Sequence, residues 1–239
     1  MRGYMIKTAG SIKVSKKIVA FGMVGIIAVL ITMISDLILL GRPDSGLSFF
    51  LYPTESMVGI PDWRITVGTF LGVIMLPFQI FGIVPACLGL KPCGKAVQIT
   101  AGIAGGHGLI MGAAFHTTYA FMADGWKLYH SAGSEAFMVT SLIRNFEYYW
   151  KLILVIMTFD LMLFSVIYVF YVLSGKSAYP RWMAVFNPAV IMAVIFPIML
   201  LIPAPVGGFA APVVLNLSTL VFFSVSTAVI YKATHPCLQ

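Results

Sequence analysis

Long apolar runs separated by short polar segments dominate this chain. A helix that crosses a membrane needs about 20 apolar residues, and six stretches reach that length: 18–40, 65–90, 96–123, 152–173, 182–202 and 213–231. The pattern predicts an all-α polytopic protein, with residues 1–239 forming one membrane domain of six transmembrane helices. The turns after the second and fourth runs carry breakers, Lys91-Pro92-Cys93-Gly94 and the segment from Ser174 to Pro180. Short turns of this kind make spans two and three, and four and five, antiparallel neighbours. The two halves share no pattern of the sort that inverted-repeat transporters carry.

Two connections are longer, 41–64 and 124–151. In the first, Phe49-Phe50-Leu51-Tyr52 ahead of Pro53 reads as an interfacial wedge. In the second, Met138, Leu142, Phe146 and Tyr149 recur at helical spacing, with Ser134 placed as an N-cap and Glu135 in the first turn. An amphipathic helix is predicted there, lying on the outer surface and running into the fourth span. Tyr148, Tyr149 and Trp150 then fall where an aromatic belt belongs.

Composition agrees: 60% of residues are hydrophobic and 10% charged, far from the soluble norm of about one quarter charged. The net charge of +7 would suggest nucleic acid in a soluble domain. Here the basic residues flank apolar runs and act as topology determinants, so the expected partner is the lipid bilayer and no nucleic acid. Ten of the fifteen Lys and Arg residues lie in the N-terminal tail, the 91–95 and 176–181 turns and at Lys232. The other side holds the remaining five, so both termini are expected inside. All eight carboxylates fall in or beside segments sent toward the opposite face. Residues 1–17 are basic, and the apolar run behind them is too long for a signal peptide, so it reads as the first span and not a cleaved leader. Cys87, Cys93 and Cys237 are odd in number and lack CxxC spacing, which argues against a structural disulfide.

Ionisable groups inside a bilayer are costly and mark candidate sites. Asp160 lies about 14 Å down the fourth span at 1.5 Å per residue, and His107 sits at similar depth in the third. They can meet across two helices as a proton-handling pair, which makes them the catalytic candidates. His116 follows His107 by nine residues, on the opposite helix face, so the two are no metal clamp, and neither metal nor cofactor is expected. Asp36 ends the first span, where the helix dipole repels an anion, and Arg42 and Arg64 are its candidate partners. Asp36, Arg64, His107, His116 and Asp160 are expected to line an outward-opening pocket between spans one to four, with Glu55 and Glu147 at its mouth. Gly102/Gly106 and Gly108/Gly112 permit close helix approach. Pro77, Pro188 and Pro197 invite kinks, with Gln79 and Asn187 placed to meet freed carbonyls. No GxSxG, GxSG or CxxC motif supports covalent catalysis.

The stretches from Ser35 to Gly41, from Ile60 to Gly68 and from Tyr179 to Pro188 resemble a family of uncharacterised bacterial multi-pass membrane proteins. The likeness covers most of the chain and implies a bacterial cytoplasmic membrane, without an activity. Three classes of function fit: binding or transport of a small amphipathic or lipid-like molecule, acid–base chemistry on a lipid or isoprenoid-like substrate, and a structural or regulatory membrane partner. The first is favoured, because intramembrane polarity is present without a nucleophile or metal signature.

Overall fold

The computed structural model describes residues 16–234; the basic tail ahead of Lys16 and Cys237 lie outside them. The first apolar run is a single helix, α1 (Lys16–Leu40). It is followed by a short α2 (Gly46–Leu51), then by α3 (Asp62–Phe78) and α4 (Ile80–Gly89), which together make up the second run. Beyond a turn at Lys91–Cys93 come two long helices, α5 (Lys95–Ser131) and α6 (Ala136–Leu173). The rest is α7 (Pro188–Leu201), the single turn α8 (Gly207–Ala210) and α9 (Val214–Thr234). No strand occurs among the described residues.

Four segments are long and apolar enough to cross a membrane: Lys16–Leu40, Asp62–Gly89, Ala136–Leu173 and Gly207–Lys232. The other two expected spans differ for physical reasons. The α5 helix is long enough, but Gln98, His107, His116 and its glycines dilute its apolar run. The fifth run splits into a 3-10 stretch, Arg181–Phe186, and the 14-residue α7. The split occurs because Pro188 occupies the first turn, where its missing N–H costs nothing. Asn187 accepts from the Ala189 N–H at 2.9 Å, so it caps this helix and does not service a kink inside it.

Packing is organised around α1. Its buried positions, among them Gly22, Gly25, Ala28, Thr32, Ser35 and Asp36, recur every three or four residues and form one stripe. Between helices in lipid there is little hydrophobic drive, and small residues let backbones close up. A Cβ on Gly25 would collide with the backbone of Gly82 in α4, so the two helices cross there at backbone contact. The Ser35 hydroxyl donates to the Gly68 carbonyl of α3 at 2.5 Å, and α9 packs on the same stripe at Gly22 through Thr227.

The α5–α6 hairpin overturns one expectation. Its helices of 37 and 38 residues are each about 55 Å long at 1.5 Å per residue, well beyond a hydrocarbon core of about 30 Å. The amphipathic segment does run into the fourth apolar run as one helix, but it stands antiparallel against the extension of α5 instead of lying apart on a surface. Its inward stripe is therefore Val139, Ile143 and Phe146, against Met122, Trp126 and Tyr129, while Met138, Leu142 and Tyr149 face out. Gly133 closes the hairpin at φ +55°, a conformation that side chains disfavour.

At the α2 end, backbone hydrogen bonds tie residues 42–46 to 202–208: Arg42 N–H to Gly208 O, Gly208 N–H to Asp44 O and Gly46 N–H to Ile202 O. The Arg42 guanidinium lies over the Phe49 ring, 4.7 Å from its centroid, and donates to the Tyr52 carbonyl. Burial pushes the Asp44 carboxyl up, but the Ser48 hydroxyl, the Ser45 N–H and Arg42 outweigh it and hold Asp44 below the usual range. Only half of the aromatic wedge faces outward. Leu51 and Tyr52 are exposed, Phe49 is buried and Phe50 turns inward against Phe196, ring centroids 4.7 Å apart.

Gly25→Ala should destabilise the protein by about 1–3 kcal/mol, as overpacking does, in reversible unfolding from mixed micelles. Gly106→Ala, where a Cβ meets open space, should be neutral or mildly stabilising in the same assay.

Candidate functional site

The break between α3 and α4 sets up the site. Pro77 supplies no N–H to the helix, and the regular ladder stops at Gln79, whose own N–H reaches Leu76 and Pro77 and not a full turn back to Met75. The break leaves the Gln79 side chain fully buried at the centre of the bundle. It was expected to cap freed carbonyls beside Pro77. Instead its amide nitrogen donates to Thr32 Oγ1 of α1 at 3.0 Å and to Asn216 Oδ1 of α9 at 3.1 Å. Thr32 passes the chain on to the Ala28 carbonyl at 2.8 Å.

Asn216 in turn donates to Asp36 Oδ2 at 2.7 Å, and the other Asp36 oxygen meets His116 Nε2 of α5 at 2.9 Å. Asp36 and His116 are both buried. The network joins three helices and the α3–α4 break, and its direction follows from the donors available. The Gln79 amide donates to Asn216, and Asn216 donates in turn to Asp36. Gly72 of α3 makes room for the imidazole, because a Cβ at that position would overlap the His116 ring.

Neither arginine proposed for Asp36 reaches it by an ion pair or hydrogen bond. Arg42 pairs with Asp44. Arg64 donates to the carbonyls of Ile38 at 2.7 Å, Leu37 at 3.2 Å and Gly41, at and just past the end of α1, of which Leu37 also accepts from the Gly41 N–H. A cation at a helix C-terminus also favours the helix dipole, so Arg64 is a cap for α1 and does not line a pocket.

A cavity of about 370 Å³ opens beside the network. Asp36, Gln79, His116 and Asn216 form its polar wall, with Thr158, Ser218 and Thr219 nearby. The rest is apolar: Leu76 and Ile83, Phe115, Leu154 and Met157, Met192 and Phe196, and a floor of Phe164, Phe222 and Phe223. Among the described residues no Lys or Arg lines it. Of the five expected pocket residues, Asp36 and His116 border the cavity. His107 and Asp160 do meet, at 2.7 Å, but on the α5–α6 seam outside the cavity lining, with the His107 side chain half exposed. Glu147 pairs with Lys151 one turn along α6, and Glu55 sits beside Thr54 in the 55–59 turn. Neither lies among the lining residues.

A family model described as a family of unknown function, DUF6796, matches residues 6–233. The chain belongs to this family. The match takes in the whole DUF6796 helical arrangement just described, from α1 to the last turn of α9, and with it every residue of the polar network. No curated protein and no solved structure matches the chain.

The residues that a reading for charge passes over are Asn216, Gln79, Thr32 and Gly72. Two of them are neutral amides within apolar runs, a rarity in such segments and the one signal that marked them.

Asn216→Leu strips Asp36 Oδ2 and one Gln79 N–H of their partner. It should cost about 1–3 kcal/mol, the usual penalty for leaving a buried polar group unsatisfied, read as a lowered unfolding midpoint in detergent. A midpoint equal to the wild type would mean that the network contributes nothing to stability.

Proposed function

We propose that the cavity holds a small amphipathic or lipid-like molecule, which the protein binds or transports. One observation carries this reading: a 370 Å³ space, apolar on most sides, meets a single wall of carboxylate, imidazole and amides. That volume falls in the range of small-molecule sites, about 300–1,000 Å³, and an apolar enclosure with few convergent polar groups is their usual chemistry. Leu154, Met157 and Leu161 of α6 face Met192 and Phe196 of α7 across it. The α6 and α7 helices touch each other sparsely, and a guest from the bilayer would enter between them.

Acid–base catalysis is less well supported. The His107–Asp160 pair has hydrogen-bonding geometry but stands away from the enclosed space where a substrate would sit. It reads as a polar link that holds two long helices in register.

The setting we propose is a cell membrane, the bacterial cytoplasmic membrane, crossed six times with both termini in the cytoplasm. Support comes from the four long apolar segments, from the lysine and arginine excess on the proposed inner side, and from α7, which extends its reach through the Arg181–Phe186 stretch. In a cysteine-free background, Phe137→Cys at the hairpin tip should label with an impermeant maleimide in intact cells. Lys176→Cys should label only after permeabilisation, and the reverse pattern would overturn the orientation.

The pocket reading is tested by mass spectrometry of small molecules and lipids co-purifying with wild type and with Leu161→Trp, matched for folded protein. A species held by wild type and lost when the indole fills the cavity is expected. Identical bound species in both preparations would exclude the cavity as their site.

A further inference from the structure

The charge of the polar wall can be worked out from its hydrogen bonds. Asn216 donates to Asp36 Oδ2, and Asp36 Oδ1 meets His116 Nε2, the contact along which a carboxyl proton could point. A proton there would put the imidazole's own proton on Nδ1, which is buried without a partner, so the arrangement that orphans no N–H has Nε2–H donating to Asp36. Such a group is a carboxylate. His116 spends Nε2–H on it, and its Nδ1 is buried without a partner. A second proton on the ring would leave an N–H donor unsatisfied in an apolar interior, a rarer and costlier state than a bare lone pair. The imidazole is therefore neutral, and the pair carries one net negative charge.

Among the described residues that charge has no counter-ion. Arg42 is engaged by Asp44, the Tyr52 carbonyl and the Phe49 ring, and Arg64 by the end of α1. A buried carboxylate held only by neutral donors keeps its full negative charge toward the cavity and favours a cation there. Most of the spare capacity in the lining is acceptor: the Asp36 oxygens keep free lone pairs, and Gln79 Oε1 and His116 Nδ1, both buried, have no partner, while the Thr158 hydroxyl can donate or accept. The faces of Phe115 and Tyr119 stand in the same lining, and aromatic faces attract cations.

We propose that the guest is a cationic amphiphile, an ammonium group on an apolar body, whose head sits against Asp36 and Asn216 while its body fills the space toward Phe164 and Phe222. The proposal rests on the reading of the cavity as a ligand site and adds the chemistry of the head. A wall of acceptors with net negative charge receives an N–H donor and repels a carboxylate or phosphate. Carboxylate and phosphate heads are thereby excluded, whatever the body attached to them.

Three probes with one body and different heads test this: dodecylammonium, dodecanol and dodecanoate at neutral pH, below micelle-forming concentrations. Binding to the protein in a non-ionic maltoside is read by equilibrium dialysis, with Leu161→Trp subtracting uptake by the detergent. Dodecylammonium should bind at least about tenfold more tightly than dodecanoate, equivalent to about 1.4 kcal/mol, with dodecanol between them. Asp36→Asn should bring the amine down to the affinity of the alcohol. Should that variant fold poorly, the series on wild type decides alone. Dodecanoate binding as tightly as the amine would overturn the head preference and leave the pocket intact. Absence of any binding that Leu161→Trp abolishes would overturn the pocket and the head preference together.

Discussion

Holding one carboxylate inside an apolar bundle is the constraint on which the rest of this structure depends. Asp36 sits near the end of α1, where the dipole of its own helix disfavours it, and its burial in an apolar bundle disfavours it further. Its stability there requires donors brought from other helices. His116 comes from α5 and Asn216 from α9, while Gln79 at the α3–α4 break holds Asn216 in the orientation that makes it a donor. Four separate parts of the chain must be in place before the charge is accommodated. The network therefore couples helix arrangement to one functional group.

The small residues of α1 make that convergence possible. Backbone contact at Gly25 and Gly82, and the Ser35 bond to Gly68, draw α3 and α4 close enough for Gln79 to reach Thr32. Gly72 then leaves the volume that the His116 ring occupies. At the α2 end, Arg64 neutralises the last carbonyls of α1 and the Arg42–Asp44 pair ties down the 41–46 segment, so both nearby arginines are committed to structure. The cavity is left with a carboxylate and without a cation. Its electrostatic character follows from what the caps require.

Much of the helix layout was legible in the sequence because length and hydropathy act locally. The first, second, fourth and sixth apolar runs appear as expected, and the His107–Asp160 contact follows from depth alone. Facing was harder to read. Of the stripe Met138, Leu142, Phe146, Tyr149 only Phe146 faces inward, with Val139 and Ile143 in place of Met138 and Leu142, because the partner is α5 and not a membrane surface. The partner of Asp36 was misjudged for a related reason. Sequence proximity favoured Arg42 and Arg64, whereas the actual donors lie 80 and 180 residues away. Asn216 carries no charge, and a search keyed to ionisable groups does not reach it, while Gln79 stands out only as a neighbour of Pro77 and not as a partner of Thr32 and Asn216.

The decisive measurement is the infrared difference spectrum between wild type and Asp36→Asn at neutral pH, with Glu147→Gln as a control for solvent-facing carboxylates. An ionised Asp36 should contribute a carboxylate stretching band that the variant lacks. A carbonyl band of a protonated acid, lost in the same difference, would contradict the charged wall and with it the argument for a cationic guest.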